Sequence, residues 1–411
     1  MPETQSIDWL GGWEGYRVET VKRYEADGQR PRPQVWIRLS PIETRRMVCD
    51  GCGRRVSQVH DSAERRVRDL ALLDADTVVV FLRFRLACRR CGPRLERLPW
   101  LDRFSRVTRR LADSVVRLCQ VLPIKHVAEF FGLGWDTVKG IDKTHLERTL
   151  GPPRFDDVDI IAMDEFAIHK GHRYATVCVC ARTKRVLWVG RGRDRKSVRP
   201  FFELLGKDGC RRIRAVVMDM SATFELEVRQ NCPQAEVVFD LFHVVAKYGR
   251  EVVDRVRVDE ANRLRHDKPA RHVIKSARWL LLRNRENIAK REDRVRLDEL
   301  LKANKALFRA YVLRDDLKHL WDFRSHGHAL RFWKSWHRRA MRSGVEPLRR
   351  FARLLEPYLP GILAHTRWPL HTSFLEGINN RIKVIKRMAY GFRDDAYFFL
   401  KIRAAFPGKA G

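Results

Sequence analysis

The sequence predicts a mixed α/β core that is interrupted by a long helical insertion and preceded by a small cysteine-bearing unit and a helix-turn-helix. Three observations carry this reading. Two C-x-x-C pairs stand at Cys49/Cys52 and Cys88/Cys91; two helical patterns meet at a Gly132-Leu133-Gly134 turn; and short apolar runs alternate with helical ones over residues 158–243, three of them running into an aspartate.

Composition bounds the possibilities. At 411 residues and 44% hydrophobic content the chain has enough apolar material for two or three cores. Its 83 Lys and Arg against 51 Asp and Glu leave a formal charge of +32, spread along the whole length. A phosphate-rich partner, nucleic acid, accounts for such an excess best. No apolar run approaches the roughly 20 residues that span a bilayer. The opening MPETQSIDWLGGW has neither the basic start nor the apolar stretch of a signal peptide, which predicts a cytoplasmic protein whose nine cysteines are thiols or metal ligands.

Residues 1–104 form the first predicted domain. "VCDGCGRR" and "ACRRCGPR" each place a glycine after the second cysteine, and four thiolates in two such knuckles suit one closed, structural Zn²⁺. The 35 residues between the knuckles exceed the usual spacer of about 15–20. "TVVVFLRFRLAC" reads as a strand entering the second knuckle, so the unit is expected to be a zinc ribbon with an enlarged hairpin. Cys119, Cys178, Cys180, Cys210 and Cys232 have no such spacing and read as small buried side chains.

Residues 105–150 read as the helix-turn-helix. "RVTRRLADSVVRLCQVL" is amphipathic and ends before Pro123; "IKHVAEFFGLGWDTVKGIDKTHLER" then gives a short helix, the glycine turn and a second helix. The helix from about Trp135 to Leu146 would enter a major groove, with Asp136, Thr137 and Lys139 facing bases or phosphates. "GPPRFDD", residues 151–157, ends the helix and marks a boundary.

From 158 to 243 the elements run βββαβαβ, the order of a ribonuclease-H-like fold. Three of its strands are expected to terminate at Asp164, Asp219 and Asp240, where open sheets collect ligands. Enzymes of that fold cut phosphodiesters with two divalent ions held by carboxylate oxygens. Asp164 and Asp219 would share adjacent strands; Glu165 is a rival, but alternation turns it to the opposite face. The third carboxylate can be Glu376. In "SFLEGINNRIKVIKR" a helix gathers Phe374, Ile378, Ile382 and Ile385 on one face and Glu376, Asn380, Lys383 and Arg387 on the other. Spacing alone leaves Glu376 equally readable as solvated helix surface.

Residues 244–369 are helical and charged and read as an insertion, after which 370–411 complete the core. Trp279, Trp321, Trp333 and Trp336 stud the insertion, and Trp336 is the candidate for stacking on a displaced base.

Together these residues resemble the bacterial insertion-sequence transposases of the ISL-three family, over most of the chain. "MDEFA" resembles the family's first catalytic block, "VVMDMSATF" the second and "FLEGINNRIKVIKRMAYGFRD" the third, which implies the catalytic set Asp164, Asp219 and Glu376. The third block here is preceded by His371-Thr372 where the family often has Ser-Asn. "FDLFH" resembles the C/D-x-x-H element of several such groups, implying accessory roles for Asp240 and His243. The resemblance further implies two Mg²⁺ (or Mn²⁺) per site and, as partners, the element's terminal inverted repeats and a target duplex. It also implies phosphate contacts from Asn380, Arg381, Lys383, Lys386 and Arg387, a homo-oligomer of at least two chains, and a nucleoid-associated bacterial location. A DNA-binding protein without catalysis, or a nuclease that cuts without joining, would share much of this pattern.

Overall fold

The computed structural model describes residues 11–408 except Gln29, Lys170, His172, His371 and Thr372. Most of the stretch read for a signal peptide, and the His371-Thr372 departure, lie outside the described residues. The chain divides into two compact units, Met1–Thr149 and Leu150–Gly411. No helix among the described residues is long and apolar enough to cross a membrane.

The first unit carries a five-stranded sheet: β1 (Tyr16–Tyr24), β2 (Gln34–Pro41), β3 (Val59–Leu72), β4 (Ala75–Cys88) and β5 (Gly92–Leu95). The order is β1-β2-β4-β3, with β5 also on β4; β2 runs parallel to β4 and the other pairs are antiparallel. The enlarged hairpin expected between the knuckles is β3–β4, turning on Leu73-Asp74 with Leu73 at φ 55°. Residues Ala75–Phe81 of β4 are buried on both faces, which is why they read as an unbroken apolar run. No element was expected at β1 and β2, whose solvent-facing arginines and lysines mask the alternation of Val35, Ile37 and Leu39 into the core.

Helices α1 (Arg109–Cys119), α2 (Ile124–Phe131) and α3 (Trp135–Leu150) follow. Thr108 caps α1 through its hydroxyl. Pro123 does not stop α1, which ends at Cys119, but supplies the N-cap position of α2. Gly132 closes α2 at φ 60°, a left-handed cap that favours glycine. Val115, Val127 and Val138 meet between the three helices. Arg32 and Arg68 donate to the carbonyls of Glu129, Phe130 and Phe131, joining the free C-terminal end of α2 to the sheet.

A buried carboxylate ties this unit together. Asp69, 1% exposed on β3, accepts from the Trp13 indole (2.9 Å), the Thr108 hydroxyl (2.7 Å) and both Nε and Nη2 of Arg110 (2.6 Å each). Burial pushes its carboxyl up, but the Arg110 guanidinium and the Thr108 hydroxyl outweigh that and hold it below the ordinary value. A depressed carboxylate contributes stability above its unfolded value of about 3.9 and loses it as pH falls through the folded value. Melting temperature measured from pH 7 to 3 is therefore expected to fall more steeply in the wild type than in Asp69→Asn. Asp69→Ala, which leaves the Trp13 indole and Thr108 hydroxyl without their acceptor while Arg110 keeps its access to water, is expected to cost about 1–3 kcal/mol.

The second unit is built on β6 (Ile160–His169), β7 (Arg173–Cys180), β8 (Val186–Arg191), β9 (Ala215–Met218) and β10 (Glu236–Phe239), in the order β10-β9-β6-β7-β8. Strands β6, β7 and β8 are antiparallel neighbours, whereas β9 lies parallel to β6 and β10 parallel to β9. The parallel steps are crossed by α4 (Arg195–Arg212) and α5 (Ala222–Asn231). Alternation sorts the sheet cleanly. Ile161, Met163, Cys178, Val216, Met218 and Phe239 face α4, α5 and the insertion, while Ile160, Ala162, Phe166, Val177, Val217 and Val238 lie under the last two helices. Cys119, Cys178, Cys180, Cys210 and Cys232 are all buried, as expected of cysteines without ligand spacing.

The insertion is entirely helical. It comprises α6 (Leu241–Tyr248), which runs through a π-turn into α7 (Arg255–Arg263), then α8 (Lys268–Ser276), α9 (Arg278–Leu282), α10 (Arg291–Ala303), α11 (Lys305–Lys318), α12 (His326–Met341), α13 (Glu346–Leu355) and α14 (Leu359–Leu363). The reading of Trp336 as a DNA-facing ring is corrected here. Trp336 is 0% exposed, stacks on Trp333 at 5.3 Å and donates its indole N–H to the Leu313 carbonyl at 2.8 Å, so it is core between α11 and α12. Trp279, 65% exposed with the Arg278 guanidinium over its ring, is the exposed tryptophan of the four. Helices α15 (Ser373–Met388) and α16 (Asp395–Ala405) return to the sheet.

Candidate active site and zinc centre

The register of the parallel strands builds the acidic site. Met163 of β6 pairs with Met218 of β9, and Phe239 of β10 pairs with the same Met218. Asp164, Asp219 and Asp240 are each one residue further on, so the three carboxylates form a row across three neighbouring strands, about 4.8 Å from strand to strand. Each has the parity of the face covered by α15. One expectation changes. Asp164 does not end its strand, because β7 goes on pairing with β6 as far as His169. Asp164 instead marks where the parallel neighbour β9 stops, which opens the sheet edge beside it.

Asp164 is 8% exposed; its Oδ1 accepts the Glu165 backbone N–H (2.8 Å) and its Oδ2 the Asn379 side-chain amide (2.7 Å). Burial raises this carboxyl above the usual range, with Asp219 adding to it, while His243 and the hydrogen bonds oppose. Asp219 lies nearer solvent and takes the Met220 N–H at 2.6 Å and His243 Nδ1 at 3.2 Å. Burial alone would raise it, but the His243 contacts and the backbone donor bring it below the ordinary value. His243 is in turn raised: burial opposes its charge, and Asp219, Asp164 and Asp240 together prevail. Asp240 takes the N-cap position of α6 without a side-chain capping bond, and His243 sits one turn on, so α6 presents its first turn to the acidic row.

On α15 the polarity sorts as its sequence pattern suggests. Leu375, Ile378 and Ile382 are buried against the sheet, whereas Glu376, Asn380, Arg381, Lys383 and Arg387 are exposed. Lys386 is half-buried and lines the groove beside Lys383 and Arg387, and its ammonium donates to the Ala167 carbonyl at 2.9 Å. Glu165 turns away from Asp164, as alternation requires, and pairs with Arg193 at 2.9 Å. A groove of about 370 Å³ between β6 and α15 is lined by Glu165, Phe166, Asn379, Lys383 and Arg387. Asn379 escaped the sequence reading, which singled out its neighbour Asn380. The cue was a helical step of three from Glu376, interpretable only once α15 lies on β6.

Among the described residues one group of metal-ligand side chains brings its atoms within 4.8 Å of one another: Cys49, Cys52, Cys88 and Cys91. Asp164, Asp219 and Glu376 are not drawn together to that degree. The cysteine sulfurs fit zinc closely. Thiolates about 2.3 Å from a shared tetrahedral ion stand about 3.8 Å apart, and Cys52 Sγ lies 3.7 Å from Cys88 Sγ. Gly53 and Gly92 take φ of 72° and 68° after each second cysteine, which explains the knuckle glycines. Backbone N–H groups of Cys91 and Arg90 bring the Cys88 thiol down to about 7, toward the thiolate a metal requires.

In the first unit, α3 exposes Trp135, Asp136 and Thr137, and Lys139 is half-buried with its ammonium over the Trp135 ring. Asp136, Thr137 and Lys139 are the positions expected to face DNA.

An acidic row on a mixed sheet, with a helix-turn-helix in the same chain, defines a DNA-processing protein of the transposase class. Residues 161–402 match the DDE transposase family ISL3, and residues 96–146 match the helix-turn-helix domain of transposase family ISL3. The chain therefore belongs to the ISL3 family of transposases, the one its three motif blocks resemble. It is 53% identical to the transposase for insertion sequence element IS1001 of Bordetella parapertussis, over 100% of both chains. It is also 27% identical to the transposase for insertion sequence element IS1557 of Mycobacterium tuberculosis, over 92% of this chain and 89% of that one.

Proposed function

We propose that Asp164, Asp219 and Glu376 are the catalytic carboxylates of a ribonuclease-H-like core that nicks DNA at the ends of an insertion sequence and joins the freed end to a target. The observation that carries this is the row of Asp164 and Asp219 on adjacent parallel strands, with α15 bonded onto Asp164 through Asn379. The strand order β10-β9-β6-β7-β8, three antiparallel strands followed by two parallel ones, supports that type of core. The donor set suits hard divalent cations: carboxylate oxygens and a buried amide oxygen, Asn379 Oδ1, that has no hydrogen-bond partner. Two Mg²⁺ or Mn²⁺ ions held there would supply Lewis-acid activation of the attacking hydroxyl and would neutralise charge on the leaving oxygen.

The chain's own residues do the rest. His243 Nδ1 holds the Asp219 carboxylate in one orientation, and Asp219, with smaller contributions from Asp164 and Asp240, favours the charged imidazole. Arg381, Lys383 and Arg387 neutralise phosphates along the strand that reaches Glu376, and α3, with Asp136, Thr137 and Lys139, reads the terminal inverted repeat. In this reading residues 1–104 are the zinc-bearing unit, 105–150 the helix-turn-helix, 158–243 and 370–411 the two parts of the core and 244–369 the insertion. Two ends must be held at once, so the working form is at least a dimer, acting on nucleoid DNA in the cytoplasm.

The test is cleavage and joining of a labelled DNA carrying the element's own end, in Mg²⁺, by wild type and Glu376→Gln. Loss of both steps with DNA binding retained is expected. Equal activity would return Glu376 to the solvated helix surface, and cleavage without joining by the wild type would leave a nuclease.

A further inference from the structure

Asn379 bridges α15 to β6 across 215 residues of chain, its Nδ2 donating to Asp164 Oδ2 at 2.7 Å. Charge fixes which way this amide points. An ionised carboxylate only accepts, so the NH₂ must face Asp164 and Oδ1 must face away. That Oδ1 is buried and has no hydrogen-bond partner. Buried polar atoms are nearly always satisfied, and where one is left over in a folded protein a water or an ion usually completes it. Asn379 is one of the residues lining the groove shared with Lys383, Lys386 and Arg387, and it stands one helical turn after Glu376 on the same side of α15.

The geometry points to Asn379 as a positioning residue of the cation site: its N–H locks the Asp164 carboxylate in place while its Oδ1 offers an oxygen toward the divalent cation. Glutamine, one methylene longer, could not keep both contacts from the same backbone position, and aspartate would keep the oxygen but lose the donor. The inference rests on reading Asp164 as a cation ligand, so its test must separate the two.

Binding of Mn²⁺ alone to the full chain, followed by electron paramagnetic resonance of the free ion, makes that separation without DNA or turnover. Carboxylate and amide oxygens suit Mn²⁺ better than the thiolates of the zinc centre do. Asn379→Ala is expected to weaken Mn²⁺ binding about 10- to 100-fold, the usual effect of removing a residue that orients a ligand. Thermal unfolding in chelator shows whether the variant is folded. Wild-type affinity in Asn379→Ala, together with weakened binding in Asp164→Asn, overturns the role of Asn379 and leaves the active-site reading standing. Wild-type affinity in Asp164→Asn overturns both. Should Asn379→Ala not fold, Asn379→Asp carries the test. Its second carboxylate repels Asp164 until a cation separates them, so Mn²⁺ is expected to raise its melting temperature more than it raises that of the wild type. An equal rise in the two overturns the proposal.

Discussion

Asp219→Asn is expected to abolish end cleavage and strand transfer, by a factor on the order of 10³ or more, while binding of the element's end persists. Asp219 sits where β9 stops, next in line to Asp164 on the neighbouring strand, and is the member of the row that His243 engages. The substitution keeps the shape and the Met220 N–H contact but removes the negative charge. Metal-assisted stabilisation of a phosphoryl transition state is worth several kcal/mol, and each 1.36 kcal/mol is tenfold in rate. The swap also withdraws the carboxylate that raises His243, so the imidazole should titrate lower in the variant; NMR of the His243 ring against pH reads this directly. Because the helix-turn-helix lies in the other compact unit, gel-shift binding of the labelled end should change little. A variant that cleaves within a few-fold of wild type would remove Asp219 from the catalytic set.

Loss of a metal from the four-cysteine cluster, which suits zinc, should have the second large effect, this time on the first unit. The four sulfurs bring together the segment before β3, the end of β4 and the start of β5. Structural zinc in small domains contributes apparent binding energies of about 10–16 kcal/mol, much of which is folding energy. Part of this unit has an independent core around Trp13, Tyr16, Phe81 and Trp100, so a partial loss of several kcal/mol is expected, about 10 °C or more in melting temperature. Purified protein should contain one zinc per chain, and chelation or Cys88→Ser should lower the melting temperature of this unit together with its DNA binding. A zinc content near zero, with Cys88→Ser melting as wild type does, would end the assignment.

Glu376 and its cationic neighbours show what the chain's pattern makes visible. A 3.6-residue period separates Ile378 and Ile382 from Glu376, Lys383 and Arg387 because helix geometry is local, and both sets lie where that period puts them. The knuckles were equally plain, since C-x-x-C-G combines ligand spacing with the left-handed turn that glycine permits. Trp336 shows the limit. Its flanking Arg, Lys and His residues make the segment look like a surface, yet α12 turns Trp333 and Trp336 inward, Trp336 onto α11, and the charges outward. Nothing within a single helix says which partner covers its apolar side.

Local chemistry thus settled the composition of the molecule: a charge suited to DNA, two cysteine knuckles, a helix-turn-helix, and strands that lead into acids. The element order already set Asp164 and Asp219 on adjacent strands; tertiary structure alone decided the register that lines the acids up. Strand register is a long-range property, set by how β6, β9 and β10 pair across stretches of chain that carry no mutual signal, and it placed Asp164, Asp219 and Asp240 in one row. The same docking brought Asn379 onto Asp164 from 215 residues away and set the Lys386 ammonium on the Ala167 carbonyl. Periodicity is a short-range property of the backbone and can be read along the chain; adjacency between distant elements arises only when their apolar faces pack.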